Sequence, residues 1–317
     1  MGEVAAPQIA VAPGGARQWV CDAVRAGGGH LVEPARAQGL VWTETDGADD
    51  LQALLETAPG IRWVQLPWAG VEPFVRAGVF DGDRMWTSGK GVYARPVAEH
   101  ALALTLGGLR DFKRFAAART WGEQAGISLI EGKVTIFGGG GICREIVRLL
   151  RPFDTEITVV RRHPDRPVGE PERPMRGVHR VLGFHERYEG LRGADVILLA
   201  LALTEETTGV IGAVEFELME PHAWLVNVAR GEHVVTDELV TALRDDVIGG
   251  AALDVTHPEP LPDGHPLWSL PNCLITPHTA NTEDMAIPLL SERIAENVRR
   301  FAAGEKLVGV VDTTLGY

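Results

Sequence analysis

The sequence predicts an α/β fold built on doubly wound parallel sheet, in a chain of about two domains. Three observations predict it. Short apolar runs alternate with helical patterns along most of the chain. A glycine cluster, Gly138 to Gly141, ends one apolar run and opens a helical pattern. The length, 317 residues, is more than one hydrophobic core usually serves.

The elements follow in order. Strands are expected at residues 9–12, 31–32, 41–42 and 62–66, each bounded by Gly, Pro or Asp. Residues 49–57 read as a helix, with Leu51, Leu54 and Leu55 on one face. One long helix is expected over residues 96–119, with Pro96 at its first position, where a missing N–H costs nothing. Further strands are expected at 133–137, 157–160, 196–199, 225–228, 250–253 and 274–276, mostly with helices between them. Residues 161–180, rich in Arg, Pro and Glu, read as an exposed loop, with a short strand near Val181. Residues 283–300 read as a final helix.

Composition narrows the class. Hydrophobic residues make up 45% and charged residues 23%, an ordinary globular balance. A formal charge of −13 argues against nucleic acid as a partner. No apolar run approaches the roughly 18 residues of a membrane span. The opening MGEVAAPQIAVAPGG lacks a basic region and a long apolar stretch, and Ala6 stands where a myristoylation signal has Ser or Thr. Cys21, Cys143 and Cys273 are odd in number and far apart, so a reducing, cytoplasmic setting is expected, without a disulfide framework. No metal site is expected.

The glycine cluster carries the first chemical signal. Strand, glycine turn and helix form the context of a dinucleotide fingerprint. Gly138 makes the tight turn, Gly140 lets the backbone approach a pyrophosphate, and the helix N-terminus holds its charge. Cys143 replaces the third glycine of the pattern, where it reads as a small packing residue rather than a redox thiol. About 20 residues past the glycines, NAD binders place an acid on the ribose. Here stand Arg161 and Arg162, whose guanidinium groups suit a 2′-phosphate, so NADP is the preferred cofactor expected, with NAD the second choice.

Three motifs follow later strands: Asn227-Val228-Ala229-Arg230-Gly231, Asp254-Val255 leading to Glu259-Pro260, and Thr276-Pro277-His278-Thr279-Ala280. All fall at strand C-termini, the edge where open α/β sheets bind ligands. Arg230 can pair a carboxylate and polarise a carbonyl. His278 can exchange a proton with a ketone or hydroxyl oxygen, and Glu259 can favour its charged form and orient it.

With these motifs and the stretches Val97-Ala98-Glu99-His100 and His265-Pro266-Leu267-Trp268, the chain resembles the D-isomer-specific 2-hydroxyacid dehydrogenase family, most strongly over residues 92–301. The resemblance implies two Rossmann-like domains with an interdomain cleft: residues 1–97 plus 283–317 for substrate, 98–282 for NAD(P). It implies a homodimer. It makes Arg230, Glu259 and His278 the catalytic set, and Trp68, Ala69 and Gly70, with Arg230, the substrate contacts. Gly141, Ile142, Leu201, Val228, Ala229, Asp254, His278 and Ala280 then line the cofactor, with Asp254 on the nicotinamide carboxamide. The arginine at Arg161 resembles the NADP-using glyoxylate/hydroxypyruvate reductase branch. The implied reaction is reduction of a small 2-oxoacid to the D-2-hydroxyacid. Two alternatives share the fold: a dinucleotide-sensing corepressor, and a formate- or phosphite-type dehydrogenase, of which the formate enzymes resemble a Gln–His pairing rather than Glu–His.

Overall fold

The computed structural model describes residues 6–13, 17–165 and 176–313. The chain divides into two compact units, Met1–Tyr93 with Thr282–Tyr317, and Ala94–Asn281. The expected divisions, after residues 97 and 282, fall one to four residues later.

The first unit holds strands β1 (Gln8–Ala12), β2 (His30–Leu31), β3 (Gly39–Trp42), β4 (Trp63–Gln65) and β5 (Met85–Thr87), with helices α1 (Gln18–Ala26), α2 (Ala48–Thr57) and α3 (Glu72–Arg76). All strands pair in parallel, in the order β2-β1-β3-β4-β5. That order belongs to doubly wound sheets of the flavodoxin-like kind. Three of these elements escaped the sequence reading. β5 is only three residues long, too short to show a period. α3 spans five residues. α1 was legible, since its buried Val20, Ala23 and Val24 follow helical spacing.

The second unit begins with α4 (Ala94–Leu109) and α5 (Phe112–Ala117). Strands and helices then alternate: β6 (Lys133–Phe137), α6 (Gly141–Leu150), β7 (Glu156–Arg161), β8 (Arg180–Gly183), α7 (Arg187–Leu191), β9 (Val196–Leu199), α8 (Ala213–Leu218), β10 (Trp224–Asn227), α9 (Thr236–Arg244), β11 (Gly250–Leu253), α10 (Pro266–Ser269) and β12 (Cys273–Ile275). The seven parallel strands lie in the order β12-β11-β10-β9-β6-β7-β8. Counted from β6, the first six follow the 3-2-1-4-5-6 order of dinucleotide-binding sheets. β9, β10 and β11 are buried at every position, as strands covered on both faces must be, which is why each reads as an unbroken apolar run.

One expectation needs correction. The helix expected over residues 96–119 is two helices, because Asp111 adopts a left-handed backbone (φ 53°) that interrupts the ladder. It also starts earlier, at Ala94, so Pro96 is its third residue rather than its first. Pro96 is still within the first turn, whose N–H groups lack intrahelical acceptors. Of the loop expected at 161–180, Arg161 closes β7, Val181 lies in β8, and residues 166–175 fall outside the described residues.

The last helix, α11 (Glu283–Ala303), belongs to the first unit. Its Leu290, Ile294 and Val298 share a core with Ile9, Val20, Val24 and Trp63. A buried polar network adds direction to that packing. Asn297 donates to Gln65 Oε1 and to the Val308 carbonyl, both at 2.9 Å. Thr87 Oγ1 also donates to Gln65 Oε1, at 2.9 Å, and itself accepts from Trp63 Nε1 at 2.8 Å. Satisfied buried networks of this kind specify one arrangement, because any shift leaves a polar group unpaired.

Candidate active site

The loops beyond the C-terminal ends of β6, β7, β9, β10, β11 and β12 gather the predicted residues of the second unit. The β6–α6 turn is shaped by Gly138, whose φ of 111° and contact with the next strand both exclude a side chain. A Cβ there would lie 2.2 Å from the Ala200 carbonyl oxygen. Gly140 caps α6, and a Cβ on it would meet nothing within 4 Å, so open space lies before the helix N-terminus. Gly141 and Ile142 form the first turn, where backbone N–H groups have no intrahelical acceptor. This is a place for an anion. Cys143 is fully buried, and burial pushes its thiol up to about 12, so it packs rather than reacts. Arg161, at the end of β7, lies across the turn; a Cβ on Gly139 would approach its Nε to 2.9 Å. Arg162 points to Glu206, 3.2 Å away, and both side chains are near half exposure.

Beyond β10, the buried Asn227 side chain shapes the next loop. Its Oδ1 accepts from Ala229 N at 3.0 Å and its Nδ2 donates to the Arg230 carbonyl at 2.8 Å. Val228 and Ala229 are buried, and Arg230 begins to emerge, with Nη1 donating to the Ala229 carbonyl at 2.7 Å. Gly231 presses directly on the loop after β11. A Cβ on it would sit 2.0 Å from the backbone C and O of Thr256. Backbone cannot give way as a flexible side chain can. Gly231→Ala is therefore expected to destabilise the chain by about 1–3 kcal/mol or more, read as a lowered midpoint in urea. An unchanged midpoint would contradict this close approach.

Glu259 and His278 meet across those loops. His278 Nδ1 lies 2.7 Å from Glu259 Oε1. An ionised carboxylate only accepts, so Nδ1 carries the hydrogen and Nε2 is the atom left to exchange a proton. Among the described residues Nε2 has no hydrogen-bond partner, and the side chain is 51% exposed. The bond to Glu259 holds the His278 pKa above its ordinary value, although burial and the Arg230 charge pull it down. The same bond holds Glu259 below the usual carboxylate range, with burial opposing and Arg230 assisting. Arg230 thus acts on both partners through its charge.

Asp254, just past β11, is buried. Oδ1 accepts from Thr276 Oγ1 at 2.6 Å and from Thr279 N at 2.9 Å, and Oδ2 accepts from Ala280 N at 3.0 Å. His100 Nε2, from α4, lies 3.2 Å from Oδ1. Burial pushes the Asp254 pKa up, but the donors from His100, Thr276, Thr279 and Ala280 outweigh it and bring it below the ordinary value. The backbone N–H of Ala280 is thereby spent within the protein.

In the first unit, Trp68, Ala69 and Gly70 follow β4. Trp68 donates from Nε1 to Thr45 Oγ1 at 2.8 Å, and its ring packs near Tyr93 at 5.8 Å between centroids. The N–H groups of Ala69 and Gly70 find no acceptor among the described residues.

The sequence profile described as D-isomer specific 2-hydroxyacid dehydrogenase, NAD binding domain, matches residues 100–280. The chain belongs to the D-isomer specific 2-hydroxyacid dehydrogenase family. It is an NAD(P)-dependent oxidoreductase of that family. An uncharacterised protein of Corynebacterium melassecola is 35% identical over 302 residues, covering 93% of this chain and 95% of its own. Glyoxylate/hydroxypyruvate reductase A of Photorhabdus laumondii is 29% identical over 280 residues, 83% of this chain and 84% of its own. Among solved structures, a D-isomer specific 2-hydroxyacid dehydrogenase of Xanthobacter autotrophicus in complex with NADPH and MES superposes with a TM-score of 0.84. It is 25% identical and covers 99% of this chain and 100% of its own.

In this 2-hydroxyacid dehydrogenase, then, the predicted residues of the second unit all stand at one sheet edge, while Trp68, Ala69 and Gly70 belong to the first unit. Three residues that shape the site were not singled out from sequence. Asn227 had a local signal, since Asn side chains commonly bond backbone two residues on. Thr276 stood inside a quoted motif without a role. His100 closed the quoted stretch Val97-Ala98-Glu99-His100 without a role, because its partner Thr276 lies 176 positions away.

Proposed function

We propose that the chain reduces a small 2-oxoacid, glyoxylate or hydroxypyruvate, to the D-2-hydroxyacid with NADPH. The observation that carries this reading is the Glu259–His278 pair, 2.7 Å apart, with His278 Nε2 left open. Supporting it, a Photorhabdus relative is named glyoxylate/hydroxypyruvate reductase A, and the Xanthobacter structure holds NADPH.

The residues fit a dinucleotide. Open space before Gly140 and the free N–H groups of the first turn of α6 suit a pyrophosphate. Leu201, Val228 and Ala229 line the same strand edge, and Arg161 and Arg162 suit a 2′-phosphate. When bound, the dinucleotide supplies a hydride for the keto carbon. Arg230 pairs the substrate carboxylate and polarises the keto oxygen. The amides of Ala69 and Gly70 are proposed as further carboxylate donors. His278, oriented by Glu259, gives its Nε2 proton to the oxygen and regains one from water. Asp254 takes a different emphasis from the one the family resemblance implies. Three of its contacts hold the turn that carries His278, and its side chain is almost fully buried among them.

A panel of 2-oxoacids assayed with NADPH and NADH tests the reading. Turnover of glyoxylate or hydroxypyruvate with NADPH is expected. Dinucleotide binding without turnover of any member would overturn it. The same assay tests the cofactor residues. Arg161→Asp is expected to lower the NADPH-to-NADH ratio of kcat/KM by about tenfold or more, from loss of a charge-assisted contact and gain of repulsion. An unchanged ratio would place the 2′-phosphate elsewhere.

A further inference from the structure

His278 sits in a conformation that needs support. Its φ of 48° is left-handed, a region that strains a non-glycine residue and persists only when its surroundings impose it. Asp254 imposes it from two sides. Its carbonyl accepts the His278 N–H at 2.8 Å. Its carboxylate accepts the next two N–H groups, of Thr279 and Ala280. Asp254 can do this only if the carboxylate is ionised and turned correctly, and two side chains see to both. Thr276 Oγ1 lies 2.6 Å from Oδ1, so its single hydrogen goes to the carboxylate. Thr276 therefore has no hydrogen left for His100, whose Nε2 stands 3.0 Å from the same hydroxyl oxygen. His100 Nε2 must carry a hydrogen itself, shared between Thr276 Oγ1 and Asp254 Oδ1.

We propose that His100 is a positioning residue for the acid/base step. Its Nε2–H, with the Thr276 hydroxyl, holds the Asp254 carboxylate ionised and oriented, and Asp254 in turn holds the strained turn that aims His278 Nε2. His100 touches neither Glu259 nor His278, so it acts through Asp254 and Thr276. The proposal rests on His278 as the acid/base group, and its test separates failure of the one from failure of the other.

Three full-length variants serve: His100→Leu, which removes the donor, His100→Gln, which offers an N–H near the same place, and Thr276→Val, which removes the hydroxyl from the other side. Two properties are read. The first is 2-oxoacid turnover with NADPH. The second is the titration of the His278 ring protons by NMR, assigned by its absence in His278→Ala. Glu259, Arg230 and Asp254 are the charged groups that bear on that titration. In His100→Leu, kcat is expected to fall about tenfold or more, as a misaimed reacting group would cause, with KM for NADPH changed by less than about twofold. The His278 midpoint should move down toward its ordinary value as alignment with Glu259 is lost. His100→Gln should restore most of both. Thr276→Val should repeat the pattern at the other donor, and a fourth variant, His100→Phe, which keeps a ring without the donor, decides the matter if His100→Leu does not fold. Wild-type kcat and midpoint in a folded His100→Leu would overturn the proposal. So would a loss confined to NADPH binding, or a folded His100→Gln no better than His100→Leu. If the wild type turns over no 2-oxoacid, the functional reading fails, and the NMR midpoints alone still decide whether His100 positions His278.

Discussion

His278→Ala is expected to lower kcat for 2-oxoacid reduction by about 10²–10⁴-fold, the range a positioned general acid contributes. Nδ1 is committed to Glu259 at 2.7 Å, so Nε2 is the only ring atom that can deliver a proton. Water can replace it, but without the orientation that the Glu259 bond and the Asp254 turn provide. The side chain is half exposed and packs little, so the fold should survive. NADPH binding, read from fluorescence, should fall far less than kcat, since His278 is one of several residues expected to line the cofactor. A loss in kcat with binding largely retained separates a chemical role from a structural one. Near-normal turnover in a folded variant would remove His278 from the mechanism.

The second large effect is expected at Arg230. Its backbone is fixed by Asn227 on one side and by the Gly231–Thr256 approach on the other, and its Nη1 donates to the Ala229 carbonyl beyond the end of β10. On the proposed reading, Arg230→Leu would remove a fork that makes two charge-assisted bonds to the substrate carboxylate, each worth about 1.5–3 kcal/mol. A fall in kcat/KM of about 10²–10⁴-fold follows from the pair. Arg230→Lys keeps the charge and loses the fork, so it should recover only part of that loss. Because Arg230 also depresses the His278 pKa, Arg230→Leu should raise the His278 midpoint, a second and independent sign. Full activity in Arg230→Lys would mean that charge alone, not a bidentate grip, binds the substrate.

Much of the fold was legible because parallel strands covered on both faces read as apolar runs. Val196–Leu199 and Trp224–Asn227 are buried at every position and were found to within a residue. The division of the long helix was not legible, since the left-handed break at Asp111 comes without Gly or Pro to mark it. β5 was missed because three residues carry no period. The site shows the same contrast. Gly138, Arg230 and His278 lie in short motifs at strand ends, where sequence neighbours carry the meaning. Asp254 was assigned from family resemblance to the cofactor alone. Its hold on Thr279 and Ala280 spans 25 and 26 positions and depends on a turn that only the folded chain displays. His100 is further still from its partner, and the stretch Val97-Ala98-Glu99-His100 carried the family resemblance without giving its ring a role.

The central claim is that His278, held charged by Glu259, is the group that gives and takes the substrate proton. The pH dependence of kcat/KM in both directions tests it most directly, in the wild type and in Glu259→Gln. Reduction needs the protonated ring, so it should be fastest at low pH and fall as pH rises through the His278 pKa. Oxidation of the hydroxyacid needs the neutral ring and should rise through the same midpoint. Because Glu259 raises that pKa, Glu259→Gln should move both midpoints to lower pH together. Midpoints that differ between directions, or that stay in place when Glu259 is replaced, would contradict the account.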